Sequence, residues 1–212
     1  DGNFSTIGRG IGQPGVWGAR FYEGNIDEII IFDRSLTESD LTLLLSGVEY
    51  PDDISGHYKF NAGSGDILFD HSGNQKHGVI SGATWSEDVY VPPIPPAIGG
   101  NNSLIFDGEN DYVEIDEGIF NLYYGEGDDC NYTISSKIKI NDLEKEGIIL
   151  GNGDNSTGLY IKVTSEGKIN LHIGEENFYS SDLLIKENTW HHIIVSTDCY
   201  TTNYLWVDGV QH

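Results

Sequence analysis

Apolar and polar residues alternate in short runs along most of the chain, and Gly-, Asn- and Asp-rich turns separate the runs. The stretch NYTISSKIKI at 131–140 alternates with period two, which is typical of a strand with one face on a core. The runs LYIKV at 159–163 and KINLHI at 168–173 flank a Ser-Glu-Gly turn and predict a hairpin. This pattern predicts an all-β protein.

One stretch departs from this alternation and combines a continuous apolar run with a helical pattern. Its five apolar residues predict a strand that is buried on both faces and needs neighbours to pair with: Ile26, Ile29, Ile30, Ile31 and Phe32. A capping box at 35–38 and Gly47 then delimit a predicted helix of two or three turns. Its apolar face consists of Leu41, Leu44 and Leu45.

The sequence divides into three parts at a polar linker. Residues 48–55 contain Pro51 and paired acids, so they separate the strand and helix of residues 1–47 from residues 56–212. Within the long part, the run VPPIPP at 91–96 predicts an extended surface loop, because proline cannot sit in a central strand.

Five segments resemble the laminin-G-like, concanavalin A-like lectin/glucanase jelly-roll family. They are GNIDEIIIFDRSL at 24–36, DHSGNQKHG at 70–78, LIFDGENDYVEI at 104–115, WHHIIV at 190–195 and LWVDG at 205–209. The resemblance implies a two-sheet antiparallel jelly-roll sandwich with one short helix. In the family, however, the first of these segments closes the domain, whereas in this chain it stands near the beginning.

This displaced order leaves three arrangements open. Residues 1–47 could close the incomplete sandwich of their own chain, close that of a neighbouring copy, or belong to a stretch cut from a tandem array. Burial of the five apolar side chains is worth at most on the order of 10 kcal/mol, which is enough to drive association. A head-to-tail contact that does not close on itself builds a filament. We rank the filament or tandem array above self-closure.

Charge and cysteine content constrain the partners and the compartment. With 11 Lys and Arg against 34 Asp and Glu, the net charge is −23, which repels nucleic acid and anionic membranes and favours hydrated cations. No run is long and apolar enough for membrane insertion. Cys130 and Cys199 are either a disulfide or two buried thiols. The sequence also contains four N-x-S/T glycosylation sequons. Because both features are compatible with secretion, we expect an extracellular or cell-surface location.

The resemblance also implies calcium bound by oxygen ligands in loops at the rim of the sandwich. The candidate ligands lie in the opening loop, the following hairpin and the displaced strand: Asp70, Asn74, Asp107, Asp111 and Asp27. Irregular sets of carboxylate and carbonyl oxygens suit calcium. The alternative is that these side chains only cap turns through local hydrogen bonds.

Two further chemistries can be read from the sequence. Trp17, Tyr123 and Tyr124 lie in predicted loops and could stack on a glycan. The run EIDE at 114–117 resembles the acidic strand of glucanases on this fold, but Ile119 replaces its final Glu, so we expect no catalysis. His191 and His192 point to opposite faces of one strand, so we expect one in the core and one at the surface, and the two cannot share a metal.

These observations predict a non-catalytic extracellular structural or adhesive repeat. It would assemble head-to-tail by completing the sandwich of a neighbouring copy, with itself as principal partner and calcium as its cofactor. A carbohydrate-binding module is the alternative, and a glycoside hydrolase is a weaker one.

Overall fold

The structure is a computed structural model. It describes residues 5–10, 20–46, 50, 52–91, 102–115, 131–152, 159–173, 176–180, 184–197 and 203–212. Within these ranges, no helix is long and apolar enough to span a bilayer.

The described residues form short strands and one helix, α1, at Glu38–Ser46. The strands are β1 (Ser5–Ile7), β2 (Arg9–Gly10), β3 (Arg20–Phe21), β4 (Glu23–Phe32), β5 (Ile54–Tyr58), β6 (Ile67–Leu68), β7 (Gly78–Ser81), β8 (Thr84–Ser86), β9 (Ser103–Asp107), β10 (Tyr112–Ile115), β11 (Tyr132–Ile140), β12 (Gly147–Asn152), β13 (Leu159–Val163), β14 (Ile169–Ile173), β15 (Glu176–Ser180), β16 (Trp190–Thr197), β17 (Asn203–Val207) and β18 (Val210–Gln211).

Two antiparallel sheets face each other across one apolar core, which confirms the predicted all-β jelly-roll sandwich. The first sheet has the order β15-β14-β13-β12-β1-β10-β7-β6, and the second has the order β18-β17-β16-β11-β4-β9-β8, with β5 also paired to β4. Ile7, Val113 and Leu150 of the first sheet pack in the same cluster as Ile26 and Ile134 of the second. The layers therefore share a core, as sandwiches require.

Strand β4 is the central strand of the second sheet. It pairs with β11 on one side, and on the other side with β9 near its start and with β5 near its end. Ile26, Ile29 and Ile31 are fully buried in the core between the sheets. On the opposite face, Ile30 and Phe32 pack beneath α1. A strand buried on both faces is thus what the apolar run encodes.

Residues near the N-terminus close the sandwich of their own chain. Besides β4 in the second sheet, β1 lies between β10 and β12 in the first sheet. Self-closure, which we ranked below the filament or array, is therefore the arrangement of the single chain. Strand β5 begins at Ile54, so the last two residues of the predicted 48–55 linker belong to a strand.

Helix α1 starts two residues later than the capping box at 35–38 predicts, because Thr37 rather than Ser35 is its cap residue. The Thr37 amide donates to the Asp40 carboxylate at 3.0 Å, and the Asp40 amide donates to Thr37 Oγ1 at 3.3 Å. This reciprocal bonding satisfies two donors that a helix start leaves without partners. Arg34 also binds the Asp40 carboxylate at 2.7 Å, and these hydrogen bonds hold the pKa of Asp40 well below its usual range.

Two of the three leucines predicted to form the apolar face of the helix are buried. Leu41 and Leu44 are 8% and 4% exposed, whereas Leu45 is 41% exposed. Leu45 lies off the buried face because successive helical residues are about 100° apart, and its role in assembly stays a prediction. When Leu44 faces the sheet, Leu45 is turned toward solvent.

A β-bulge interrupts the pairing of β4 with β11. Ile30 is opposite Ser135 and Asp27 is opposite Lys137, so Glu28 and Ile29 together face the single residue Ser136. Glu28 has a φ of 49°, in the left-handed region that a non-glycine residue rarely adopts. The extra residue lets Asp27 and Glu28, although adjacent in sequence, both approach Lys137 on the outer face of the sheet.

Candidate functional site

The outer face of the second sheet carries a buried polar cluster where the N-terminal segment meets the rest of the chain. We call it the seam cluster, and it consists of Asp27, Glu28, His57, Lys137 and His192. Strand β4 supplies both carboxylates, and β5, β11 and β16 supply the basic side chains. All of the acidic groups therefore come from the closing strand, and all of the basic groups come from the strands that receive it.

Glu28 makes several contacts although it is nearly inaccessible to solvent. Its Oε1 lies 2.9 Å from His57 Nε2 and accepts a hydrogen bond from the Tyr50 hydroxyl at 2.9 Å. Its Oε2 lies 3.9 Å from Lys137 Nζ. A buried carboxylate requires such partners because desolvation disfavours its charge. Glu28 thus ties β4 to β5 and to β11.

Asp27 is the opposite case. It is 0% exposed, and neither carboxylate oxygen has a hydrogen-bond partner among the described residues. Burial raises the pKa of this carboxyl from 3.8 to about 7, against a lowering influence of Lys137, and the Glu28 carboxylate adds to the rise. The backbone amides of Tyr90 and Glu28 lower the pKa less, without meeting hydrogen-bond geometry. Asp27 is therefore a carboxyl whose environment disfavours its charge.

In the strand order, β11 with Lys137 lies between β4 with Asp27 and β16 with His192. Its Nε2 is 2.7 Å from Ser135 Oγ. Burial lowers the pKa of His192 from 6.5 to about 4, and Lys137 adds to this effect. Lys137 Nζ also sits 5.0 Å from the centroid of the Tyr90 ring, a cation–π contact. The imidazole is therefore neutral across the mildly acidic range.

A partly exposed group continues the outer face beyond the seam cluster. We call it the aromatic rim, and it consists of Asp88, Tyr90, Lys139 and Trp190. The Trp190 indole donates to Asp88 Oδ1 at 2.9 Å, and Lys139 forms an ion pair with the same carboxylate. Tyr90 meets Trp190 edge to face with ring centroids 6.4 Å apart. Burial would raise the pKa of Asp88, but the Lys139 and Trp190 hydrogen bonds outweigh it and lower that pKa.

The opening loop places Asp70 and Asn74 in turn-capping roles. The Asp70 carboxylate accepts hydrogen bonds from the amides of His57, Ser72 and Lys76. These bonds outweigh burial and lower its pKa. The Asn74 side-chain amide donates to the carbonyls of 54 and 55. Such bonds are the local alternative to metal binding.

The predicted calcium ligands of the hairpin are likewise bound to nearby backbone. Asp107 Oδ1 accepts hydrogen bonds from the amides of Glu109 and Asn110, and Asp111 Oδ2 accepts one from the amide of Asp107. Asp27 belongs to the seam cluster. Across the residues that the structure describes, no group of three or more His, Cys, Asp or Glu side chains is arranged to hold a metal ion. Calcium binding stays a prediction that this geometry does not support.

Other predicted site residues lie outside the described residues. These are the glycan-stacking candidates Trp17, Tyr123 and Tyr124, and the cysteines Cys130 and Cys199. His191 is described and is buried, like His192: its Nδ1 is 2.8 Å from Asp208 Oδ2, and its Nε2 accepts the Lys186 amide. We expected one of the two histidines to be at the surface, and that expectation was wrong.

Sequence patterns did not reveal the seam cluster as a unit. Lys137 and His192 are more than one hundred residues from Asp27 in the chain, so only the pairing of β4 with β11 and of β11 with β16 brings them together. A signal existed in the two adjacent acids inside an otherwise apolar strand. Buried charged residues normally require partners.

A family model described as the concanavalin A-like lectin/glucanases superfamily matches residues 107–212, which is half of the chain. No curated protein and no solved structure matches the chain.

Proposed function

The chain belongs to the concanavalin A-like lectin/glucanase superfamily, and from this premise we propose that it is a non-catalytic extracellular structural or adhesive unit. Its sandwich is completed by its own N-terminal segment, which the structure describes at residues 5–10 and 20–46. We propose that longer assemblies form when the same segment completes the sandwich of a neighbouring copy.

The central position of β4 is the observation that carries this proposal. The strand is paired along both edges and buried on both faces, so its removal would expose two apolar surfaces, open one edge each of β11 and β9, and leave β5 without its partner strand. Sheets with such open edges associate with any strand that fits. A segment this essential to the sandwich is suited to link copies.

Closure within one chain and closure between chains use the same contacts. Exchange of an identical element between copies creates no new interface, so its cost is small. A tethered segment experiences an effective concentration in the millimolar range. We therefore expect self-closure in dilute solution, and head-to-tail exchange when copies are concentrated or joined in tandem.

The surroundings of Glu114 support the absence of catalysis. Its carboxylate lies 3.4 Å from Arg9 Nη2 on the outer face of the first sheet, and the Arg9 guanidinium stacks 3.6 Å from the Tyr112 ring centroid. A glycosidase uses an acid and a second carboxylate about 5 to 10 Å away, both directed at the substrate. The Glu114 carboxylate is instead ion-paired with Arg9.

Complementation between full-length variants tests the proposal. Ile30→Asp would spoil the closing strand, and Ile138→Asp would spoil the body that receives it, because Ile138 packs in the core opposite Ile26. Refolded together, the two variants are expected to yield a heterodimer with one intact sandwich. The measurement is molar mass by light scattering with tryptophan fluorescence.

A mixture of Ile30→Asp with Ile31→Asp is the matched control, because both variants have spoiled closing strands and intact bodies. It is expected to give no folded product. If the complementary mixture also gives none, while the wild-type chain folds, segment exchange is excluded as the basis of assembly.

A lectin-like function is the second candidate, and the aromatic rim favours it. An exposed carboxylate beside an indole and a phenol offers the hydrogen bonds and apolar faces that sugars use. Titration with neutral oligosaccharides should then change tryptophan fluorescence in the wild type and not in Trp190→Ala. Trp206→Phe is the control, since Trp206 packs beside α1.

A further inference from the structure

The seam cluster has two buried carboxylates for one lysine. Glu28 contacts Lys137, His57 and the Tyr50 hydroxyl, whereas the oxygens of Asp27 have no hydrogen-bond partner in the part of the chain that the structure describes. One ammonium group neutralises one carboxylate. A second charge at the same depth would be uncompensated, and buried groups in that situation become neutral.

We propose that the closed sandwich holds the Asp27 carboxyl in its protonated form, so that closure by the N-terminal segment is coupled to the binding of one proton at Asp27. The proposal rests on the role of residues 5–46 as the closing segment. It adds a condition to that role, because the contribution of Asp27 to the insertion of β4 then depends on the proton concentration.

Every element packed around Asp27 contributes to this balance. The groups that act on Asp27 are Glu28 on its own strand, Lys137 on β11, Tyr50 before β5 and the backbone of Tyr90 after β8. The remaining titratable groups act through these: His57 on β5 contacts Glu28, and His192 on β16 is influenced by Lys137, Glu28 and Asp208. Lys137 lowers the pKa of Asp27, and Glu28 raises it. The Lys137 effect is smaller than that of burial, so the neutral carboxyl prevails in the closed state below about pH 7.

The sign for Asp27 follows from proton linkage. Its pKa rises from 3.8 in the open chain to about 7 in the closed sandwich. The stability that this proton contributes is complete below pH 3.8 and is lost as the pH rises toward 7. Asp27 by itself thus favours closure in acid and favours release of β4 at neutral pH.

His192 has the opposite sign. Its pKa falls from 6.5 in the open chain to about 4 in the closed sandwich, so the closed state binds the proton less well. Its contribution is complete above pH 6.5 and is lost as the pH falls toward 4. Between these limits, closure removes a proton from His192 and adds one to Asp27. The two dependences oppose each other over the same window.

Two isosteric variants separate the opposing effects in the full-length chain. Asp27→Asn fixes the neutral form, and His192→Gln removes the imidazole while it keeps an amide near Ser135. Asp66→Asn is the control, since Asp66 is an exposed carboxylate away from the cluster. The unfolding equilibrium constant of each is measured in urea from pH 4 to 8 and divided by that of the wild type.

The ratio for Asp27→Asn is expected to move toward greater stability by about tenfold per pH unit as the pH rises from 4 toward 7. The ratio for His192→Gln should move the opposite way up to pH 6.5. Asp66→Asn should show no dependence. If the Asp27→Asn ratio is as flat as that of the control, the proposal is overturned.

Infrared spectroscopy of the wild type tests the protonation of Asp27 even if a variant fails to fold. A protonated carboxyl at pH 5.5 gives a carbonyl band that disappears as the pH is raised past 7, while ordinary carboxylates are already ionised. Absence of this band overturns the proposal. Both readouts use the monomeric chain, so they stand apart from the complementation test. If complementation fails while the carbonyl band is present, only the proposal of segment exchange is overturned.

Discussion

The two faces of strand β4 stabilise the sandwich by different means. Its inner face presents Ile26, Ile29 and Ile31 to the core, and its outer face presents Asp27 and Glu28 to the seam cluster. Apolar burial is non-directional and accepts any strand of suitable shape. Charged contacts depend on position, since a one-residue slip would bring a carboxylate to the core face. The apolar inner face therefore contributes stabilising free energy, and the charged side chains of the outer face fix the register of β4 in the sheet.

The largest expected effect comes from the inner face. Ile31→Ala removes a fully buried side chain from the core and is expected to lower the free energy of unfolding by about 2–5 kcal/mol. Urea unfolding followed by tryptophan fluorescence measures this change. A loss below about 1 kcal/mol would mean that β4 is not packed in the core in solution.

The outer face should respond to the loss of its lysine. Lys137→Met leaves Glu28 buried without its ammonium partner, and we expect a loss of about 2–4 kcal/mol. The double variant Lys137→Met/Glu28→Gln should recover part of this loss because no uncompensated charge remains. Additive effects in this double-mutant cycle would show that the two side chains do not interact.

A smaller effect is expected where the segment turns from β4 into α1. Thr37→Ala removes one half of the reciprocal cap with Asp40 and should cost about 1 kcal/mol. Ser39→Ala is a control in the first turn of the helix, because Ser39 is exposed and bonds only the Thr37 hydroxyl in the described hydrogen bonds. Equal losses in thermal unfolding would argue against the cap.

The smallest effect tests which helix positions belong to the closing surface. Leu45→Gln should change the free energy of unfolding by less than about 0.5 kcal/mol, since Leu45 is 41% exposed. Leu44→Gln places an amide against Ile30 and Phe32 and should be far more damaging. Comparable losses at both positions would show that α1 is rotated relative to the sheet.

The sequence predicted the inner face more fully than the outer one. The apolar run from Ile26 to Phe32 and the leucines of α1 carry their own pattern, so the strand, the helix and the sandwich class could all be inferred. The sequence also allowed aspartates such as Asp70 to cap turns instead of binding calcium, because such hydrogen bonds involve only residues nearby in the chain.

The seam cluster was not predicted because its geometry is non-local. His57, Lys137 and His192 reach Glu28 and Asp27 only through the sheet order, and the bulge at Glu28 and Ile29 changes which residues share a face. Period-two alternation fails at such a point, since a bulge shifts every later residue by one. The sequence order likewise did not show whether residues 1–47 would close the sandwich of their own chain or that of a neighbouring copy.

A cross-strand disulfide tests self-closure most directly. Glu23 and Asp107 are paired residues of β4 and β9 near the rim of the sandwich, so cysteines at both positions, with Cys130 and Cys199 replaced by alanine, can oxidise together. Mass analysis of dilute oxidised chain under non-reducing conditions should give one species of monomer mass without free thiols. A ladder of disulfide-linked dimers and higher species would contradict closure within one chain.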